Sequence, residues 1–380
     1  MEFILNNTGV RATPGLTTTT VPFSQLPSDA TGVDVTFSYG ERVVLAVAIC
    51  LIAVFGGFGN GLVIISVALS RKLRTATNVY VVSLSTTDLL TCLCLPWHAL
   101  AVASVDGWPM DMVVCATAGA LSIIFVGSSM ITLAFIALNR LYLITQPSAK
   151  YRAFYTSKML IATTLLAWLL PIATVAIPPL VGLGKLGYDD KYLRCGPLHK
   201  SKNSFSVYDS IIATVLYPAP LVIIVVSYVK IFLHIRRHTK TITAPNEHSS
   251  SSHYPKSPAV SNGNNHPQTP ALKPQSSTKK RLSRRQVEIT KNLFYVVCAF
   301  VLCLTPYSTG LMIPGLDHFV PYAGVILLLN SCVNPVIYAA KHPHFKTVFR
   351  YILTLKFSKI PEPSNFLRSA LSSRSDLPSK

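Results

Sequence analysis

Charge is what this sequence has least of. Only 15 of its 380 residues are Asp or Glu, and charged residues of both signs make up 13% of the chain against 50% hydrophobic. So apolar a composition excludes a disordered protein and argues against an ordinary soluble enzyme of this length. Within the apolar stretches acids are scarcer still, and Asp88 alone stands in the middle of one. A membrane enzyme would need paired acids or a His cluster inside its spans, which a lone carboxylate does not supply. There is no CxxC pair or His-rich spacing to mark a metal site, and no nucleophile and base share one loop. Nor do the two halves repeat one another, as those of many transporters do. The amino terminus lacks the basic start, apolar core and small-residue cleavage site of a signal peptide, so the first apolar stretch is expected to act as the signal anchor.

What the chain has instead is seven long apolar stretches, at residues 43–69, 78–102, 113–138, 159–182, 210–233, 289–312 and 320–340. Each is long enough to cross a bilayer. Buried helices of a soluble protein would carry charges on one face, and a stretch such as Leu216 to Val226 carries none. The expected fold is an all-α membrane protein, a seven-transmembrane helix bundle over residues 43–340.

Loop charge sets its orientation. Arg71, Lys72 and Arg74 follow the first stretch, Lys150, Arg152 and Lys158 the third, and Arg236, Arg237, Lys279, Lys280, Arg281, Arg284 and Arg285 the fifth. The loops after the second and sixth stretches hold only acids, Asp106, Asp111 and Asp317. Cations on the cytoplasmic side place the amino terminus outside and the basic tail inside. The net charge of +19 then belongs to loops beside an anionic leaflet, and no nucleic-acid partner is implied. The loop after the fourth stretch is mixed, with Lys185, Asp189, Asp190, Lys191 and Arg194.

Outside the bundle, residues 1–42 read as a disordered extracellular tail with a glycosylation sequon at Asn6. Residues 237–285, rich in Ser, Pro, Asn and His, read as a disordered third cytoplasmic loop. Residues 341–380 open with cations alternating with Phe345, Val348 and Phe349, the pattern of a short amphipathic helix on the membrane surface. Ser369, Ser372, Ser373, Ser375 and Ser379 in the remaining tail are expected phosphorylation sites.

The third stretch organises the rest. It runs from Cys115 to Arg140, roughly 38 Å as a helix. A charge is costly at a bilayer centre and cheap at its edge, so Arg140 marks the cytoplasmic face and Cys115 the outer one. Of eight cysteines, six lie within spans. Only Cys115 and Cys195 fall at the outer face, where a disulfide would staple the second outer loop across the third helix. An intramembrane carboxylate is a functional hypothesis by default, and the seventh stretch offers Asp88 a matching polar set in Asn330, Ser331 and Asn334. Pro335 removes a helix hydrogen bond there, freeing a carbonyl for a polar neighbour or water.

These marks together resemble the rhodopsin-like G-protein-coupled receptors, over residues 43 to about 350. The residues that carry the resemblance are Asn60, Asp88, Trp108 seven before Cys115, the Cys115 and Cys195 pair, Arg140, and Trp168. Pro220 with Tyr228, Phe300, Pro306 and the run Asn334-Pro335-Val-Ile-Tyr338 complete the set. The resemblance implies no enzymatic activity and a plasma-membrane location, with a heterotrimeric G protein, arrestin, a receptor kinase and membrane lipids as partners. It makes Arg140 the arginine that meets the G protein when the sixth helix moves outward, with Tyr228 and Tyr338 stabilising that state. Asp88, Ser129, Asn330, Ser331 and Asn334 would form an allosteric sodium site, the one cofactor implied. Oxygen ligands around a carboxylate suit a small hard cation. Met130, Pro220 and Phe300 would form the packing switch between pocket and cytoplasmic half.

Three departures stand out. Asn139 replaces the acid that usually precedes the arginine, so Arg140 lacks an adjacent ion pair and some ligand-free activity is expected. Gln286 stands where some members place a second acid, with Glu288 two residues away. Leu304 replaces the tryptophan two before Pro306, against an aromatic toggle. The Asn139-Arg140 pair is shared with melatonin receptors and with the receptors called moody and trapped in endoderm.

The same alignment makes the ligand pocket Ser122, Ile123, Val126, Ile212, Leu216, Leu304, Tyr307, Leu311, Gly324 and Leu328. Ser122 stands where monoamine receptors carry aspartate, and Leu328 where opsins carry their lysine, so neither ligand class is expected. An apolar pocket with few polar groups favours a lipid-like or amphipathic ligand. Arg194 either meets an anionic head group or is a solvated loop residue. A peptide ligand is the alternative, and an inhibitory G protein is the expected subtype.

Overall fold

The computed structural model describes residues 37–198, 207–243 and 294–375, the last without residues 296, 300, 312 and 314. Asn6, most of the third cytoplasmic loop, Gln286, Glu288, Phe300 and Ser379 lie outside the described residues.

Among the described residues, six helical segments are long and apolar enough to cross a membrane: Tyr39–Leu69, Ala76–Ala103, Met112–Thr145, Ser157–Leu180, Val207–Arg237 and Asp317–Lys341. A shorter apolar helix covers Val297–Leu311, completing seven. The first three are α1, α2 and α3; α4 (Ser148–Phe154) is a short helix in the second cytoplasmic loop, and α5 (Ser157–Leu180) the fourth span. Helix starts follow local chemistry. Ser38 and Glu41 exchange side-chain and backbone hydrogen bonds in a capping box at α1. Thr75, Asp111 and Thr156 accept from backbone N–H groups at the starts of α2, α3 and α5. Val47, Phe55, Leu165, Leu169, Val222 and Val226 point outward. In water that would be costly, and against lipid tails it is what a spanning helix requires.

Two spans are not continuous helices. The fifth divides into α6 (Val207–Leu216) and α7 (Pro218–Thr243), because Pro218 has no N–H to continue the ladder. The sixth is α8 (Val297–Leu311). The seventh divides at Leu329 into α9 (Val320–Leu328) and α10 (Asn330–Lys341). Pro335 lies inside α10, where it cannot bond the carbonyl of Ser331; Asn60 Nδ2 donates to that carbonyl at 2.7 Å, tying α1 to α10.

The second outer loop departs from an all-helical reading. It forms an antiparallel hairpin of β1 (Leu186–Asp189) and β2 (Arg194–Pro197), with Tyr188 opposite Cys195. Cys115 and Cys195 are disulfide-bonded, with their Cα atoms 5.1 Å apart, so the hairpin lies on the outer end of α3. It lies close because of Gly119, where a Cβ would stand 2.8 Å from the backbone of Cys195 and Gly196. Leu193 takes a left-handed conformation at the hairpin tip, with φ 51°. Its side chain is buried among Leu45, Leu95, Val102 and other residues of α1 and α2.

The largest core cluster fills the cytoplasmic half, with Tyr80, Leu84, Met130, Ile136, Ile224 and Tyr338 among its members. After the seventh span, α11 (Pro343–Leu353) turns Phe345, Val348 and Phe349 into that cluster, and Phe345 stacks on Tyr338 at 5.5 Å between centroids. A further helix, α12 (Asn365–Ser375), follows it.

Candidate functional site

Three polar assemblies occupy successive depths of the bundle. At the outer end, β2 turns Arg194 inward. Its side chain is 17% exposed, it hydrogen-bonds the Tyr307 hydroxyl from α8, and its Nη2 lies 3.8 Å from Asp209 Oδ1 on α6. The solvated-loop reading of Arg194 is therefore wrong, because the disulfide and the hairpin fix this strand against the helices. Burial works against its charge, but Tyr307, Asp209, Asp189 and Tyr192 outweigh it and hold the guanidinium above its ordinary pKa. Arg194 Nε is buried without a hydrogen-bond partner among the described residues. Gly324 lies under the Tyr307 ring, where a Cβ would be 3.7 Å away.

The other residues expected to line the pocket pack in different hydrophobic clusters. Ile123, Ile212 and Leu216 pack together with Ile131 and Ala167. Leu304 is buried deeper, in the core cluster with Met130 and Tyr228. Leu328 packs toward α1 and α2 beside Leu193. Val126 and Leu311 are half-buried. Ser122 is occupied by a residue the sequence did not point to: His98 Nε2 sits 2.7 Å from its hydroxyl, joining α2 to α3. A histidine inside an apolar stretch was the available signal. The sequence assigns no site role to Asp209 or Tyr192, and marks Asp317 only as a loop acid. Tyr192 donates to Asp317 at 2.9 Å, and Lys191 reaches the same oxygen at 2.9 Å.

At mid-depth, Asp88 accepts from Asn334 Nδ2 at 2.7 Å and from the Ser129 hydroxyl at 3.2 Å. Thr87 shares a hydrogen bond with Ser129 at 2.7 Å. Asn330 and Ser331 are buried beside them at the start of α10, where the division of the seventh span has turned them. The side-chain oxygens of Asn330, Asn334 and Asn60 are buried acceptors without a hydrogen bond among the described residues. A carboxylate ringed by hydroxyls and orphaned amide oxygens has the donor set of a small hard cation. No group of three or more His, Cys, Asp or Glu that could hold a metal occurs among the described residues.

At the cytoplasmic end, Arg140 is 5% exposed, and its Nε has no hydrogen bond among the described residues. Tyr228 from α7, Tyr338 from α10 and Tyr151 from α4 are close enough to feel its charge. The hydroxyls of Tyr228 and Tyr338 are likewise buried and unbonded among the described residues. Asn139, instead of pairing with Arg140, is fully buried against α2 and α4: its Oδ1 accepts from Thr77 at 2.9 Å and its Nδ2 donates to Tyr151 at 3.1 Å. Met130 and Pro220 are both buried between these levels.

Comparison with known proteins agrees with this arrangement. A family model described as 7 transmembrane receptor (rhodopsin family) matches residues 59–338. The chain is 27% identical over 334 residues to the histamine H2 receptor of Rattus norvegicus, covering 84% of this chain and 82% of that one. It is 30% identical over 317 residues to the alpha-1D adrenergic receptor of Mus musculus, covering 78% and 54%. Against the octopamine receptor beta-2R of Chilo suppressalis it is 27% identical over 320 residues, covering 81% and 78%. Among solved structures, squid rhodopsin superposes with a TM-score of 0.65 at 18% identity over 90% of this chain and 94% of that one, a likeness of fold. The chain belongs to the rhodopsin family of seven-transmembrane receptors. It is a multi-pass protein of the plasma membrane that transduces signals, not an enzyme, and its family works through heterotrimeric G proteins.

Proposed function

We propose that this receptor responds to an anionic, amphipathic, lipid-like ligand held at Arg194 and Tyr307, and that Arg140 carries the response to an inhibitory G protein. One observation carries the ligand class: a largely buried guanidinium at the outer end whose Nε has no hydrogen bond among the described residues. A carboxylate or phosphate offers the acceptors that such a group lacks. The apolar body of the ligand fits against Ile123, Ile212 and Leu216. Relatives of the chain are named for histamine and octopamine, but a cation at the pocket repels an ammonium, and Ser122 supplies no carboxylate to hold one. Mid-depth, Asp88, Ser129, Asn330, Ser331 and Asn334 would hold a sodium ion that favours the resting arrangement. Arrestin and a receptor kinase would act on the cytoplasmic tail.

The test is G-protein activation in cells expressing the chain, first without ligand and then with a long-chain carboxylic acid or its methyl ester. Arg140→Ala is expected to abolish activation in every condition. Arg194→Gln is expected to abolish the response to the acid while leaving ligand-free activity. Activation by the ester as strong as by the acid would overturn the anionic reading.

A further inference from the structure

The chain after α11 does not leave the bundle. It turns back through Phe357–Lys359 and pairs with the first cytoplasmic loop. Arg71 N donates to Glu362 O at 2.8 Å, Ser364 N to Leu69 O at 2.8 Å and Ser70 Oγ to Pro361 O at 2.7 Å. Arg71 also hydrogen-bonds the Asn365 side chain. Ile360 and Leu367 are buried by this pairing, within the core cluster that includes Leu73. The clasp fixes the depth of α12. The loop it grips has only six residues, 70–75, between the end of α1 and the start of α2, so it lies at the level of the cytoplasmic head groups.

At that depth α12 leaves an apolar residue uncovered. Phe366 is 77% exposed, and Leu355 is 76% exposed at the turn before it. Exposed cations lie close to both in sequence, Arg350, Lys356, Lys359 and Arg368, and residues 341–375 contain a single acid, Glu362. Exposed aromatic and aliphatic groups flanked by cations, held at head-group level, match an anionic lipid surface.

We propose that α12 is a lipid-docking element: clasped to the first cytoplasmic loop, it seats Phe366 and Leu355 in the anionic cytoplasmic leaflet. The charge of each cation is worth about fivefold in partition between anionic and neutral leaflets. Lys356→Gln with Lys359→Gln therefore weakens the preference roughly 25-fold.

The experiment uses the full-length receptor in nanodiscs of phosphatidylcholine, with or without phosphatidylserine. A nitroxide is attached through Phe366→Cys or, about 120° round α12 from it, through Ser372→Cys, and the signal of the labelled unmutated receptor is subtracted. Hydrogen exchange at Arg71 and Ser364 reports the clasp. Expected are protected amides at both, collision with lipid-soluble oxygen exceeding that with a water-soluble nickel chelate at position 366, the reverse at 372, and a larger contrast with phosphatidylserine. Nickel access at both positions overturns the proposal. So does shielding from both reagents, which would mean a protein partner or a second copy. Unprotected clasp amides, or equal behaviour in the two bilayers, overturn it as well.

Discussion

Asn139→Asp places a carboxylate beside Arg140 while keeping both contacts of the amide. Oδ1 still accepts from Thr77, and the second oxygen accepts from Tyr151, whose hydroxyl can donate where it now accepts. A charge pair at about 4 Å in an effective dielectric of about 20 has a Coulomb energy of ~4 kcal/mol. Burying the new carboxylate returns much of that, leaving roughly 1–2 kcal/mol in favour of the resting arrangement. The active fraction then falls about 5- to 30-fold. The assay is ligand-free nucleotide exchange on a purified G protein by receptor in nanodiscs. Asn139→Ala is the control. It strips Thr77 of its acceptor and costs about 1–3 kcal/mol of stability, seen as a lower Tm, without supplying a charge. Basal exchange unchanged by Asn139→Asp would refute the idea that the missing acid loosens the resting state.

Asp88→Asn removes the carboxylate on which a cation would depend, so ligand-free activity should lose its sensitivity to replacing sodium with a large organic cation. Gly119→Ala drives a methyl group against the backbone of Cys195 and Gly196, neither of which can retreat from α3, and should cost about 1–3 kcal/mol in thermal stability. Lys191 titrates above its ordinary value of 10.5, since hydrogen bonds to Asp317 and Tyr192 outweigh its burial. Its contribution is fully present below that value and lost as pH rises through the higher folded one. Its contribution to Tm should therefore hold from neutral pH to about 10 and be lost above it, so that Lys191→Met makes the alkaline fall shallower. Trp168→Phe loses the bond to Ser83 at 3.1 Å and should lower stability by about 1 kcal/mol.

Much of this could be read in advance, and the reasons lie in particular residues. Spans and orientation follow from apolar length and loop charge, which act over tens of residues and survive local error. The Cys115 and Cys195 pair was legible because only two thiols face the outside. Pro335 announced a freed carbonyl, and Asn60 is the neighbour that takes it. Elsewhere the decisive information is three-dimensional. Nothing in the run from Leu186 to Pro197 outweighs a loop reading until the disulfide and Gly119 fix it on α3. Arg194 could have faced either way, and the handedness of Leu193 beside it goes with its inward turn. Likewise the sequence shows Asn139 in place of an acid, but its ties to Thr77 and Tyr151 join residues 62 and 12 positions apart. The tail clasp joins Ser70 to Pro361, 291 residues away, and no periodicity records such a contact.

The strap across the outer face has a kinetic meaning. Lys191 and Tyr192 both anchor on Asp317, just before α9, while Leu193 is sunk toward α1 and α2. A ligand held at Arg194, as proposed, would leave through water only as fast as this strap lifts, and would enter by the same route. Loosening one anchor raises arrival and departure rates together and leaves their ratio nearly where it was. In such a receptor, the duration of a signal is set by the loop and its strength by the pocket.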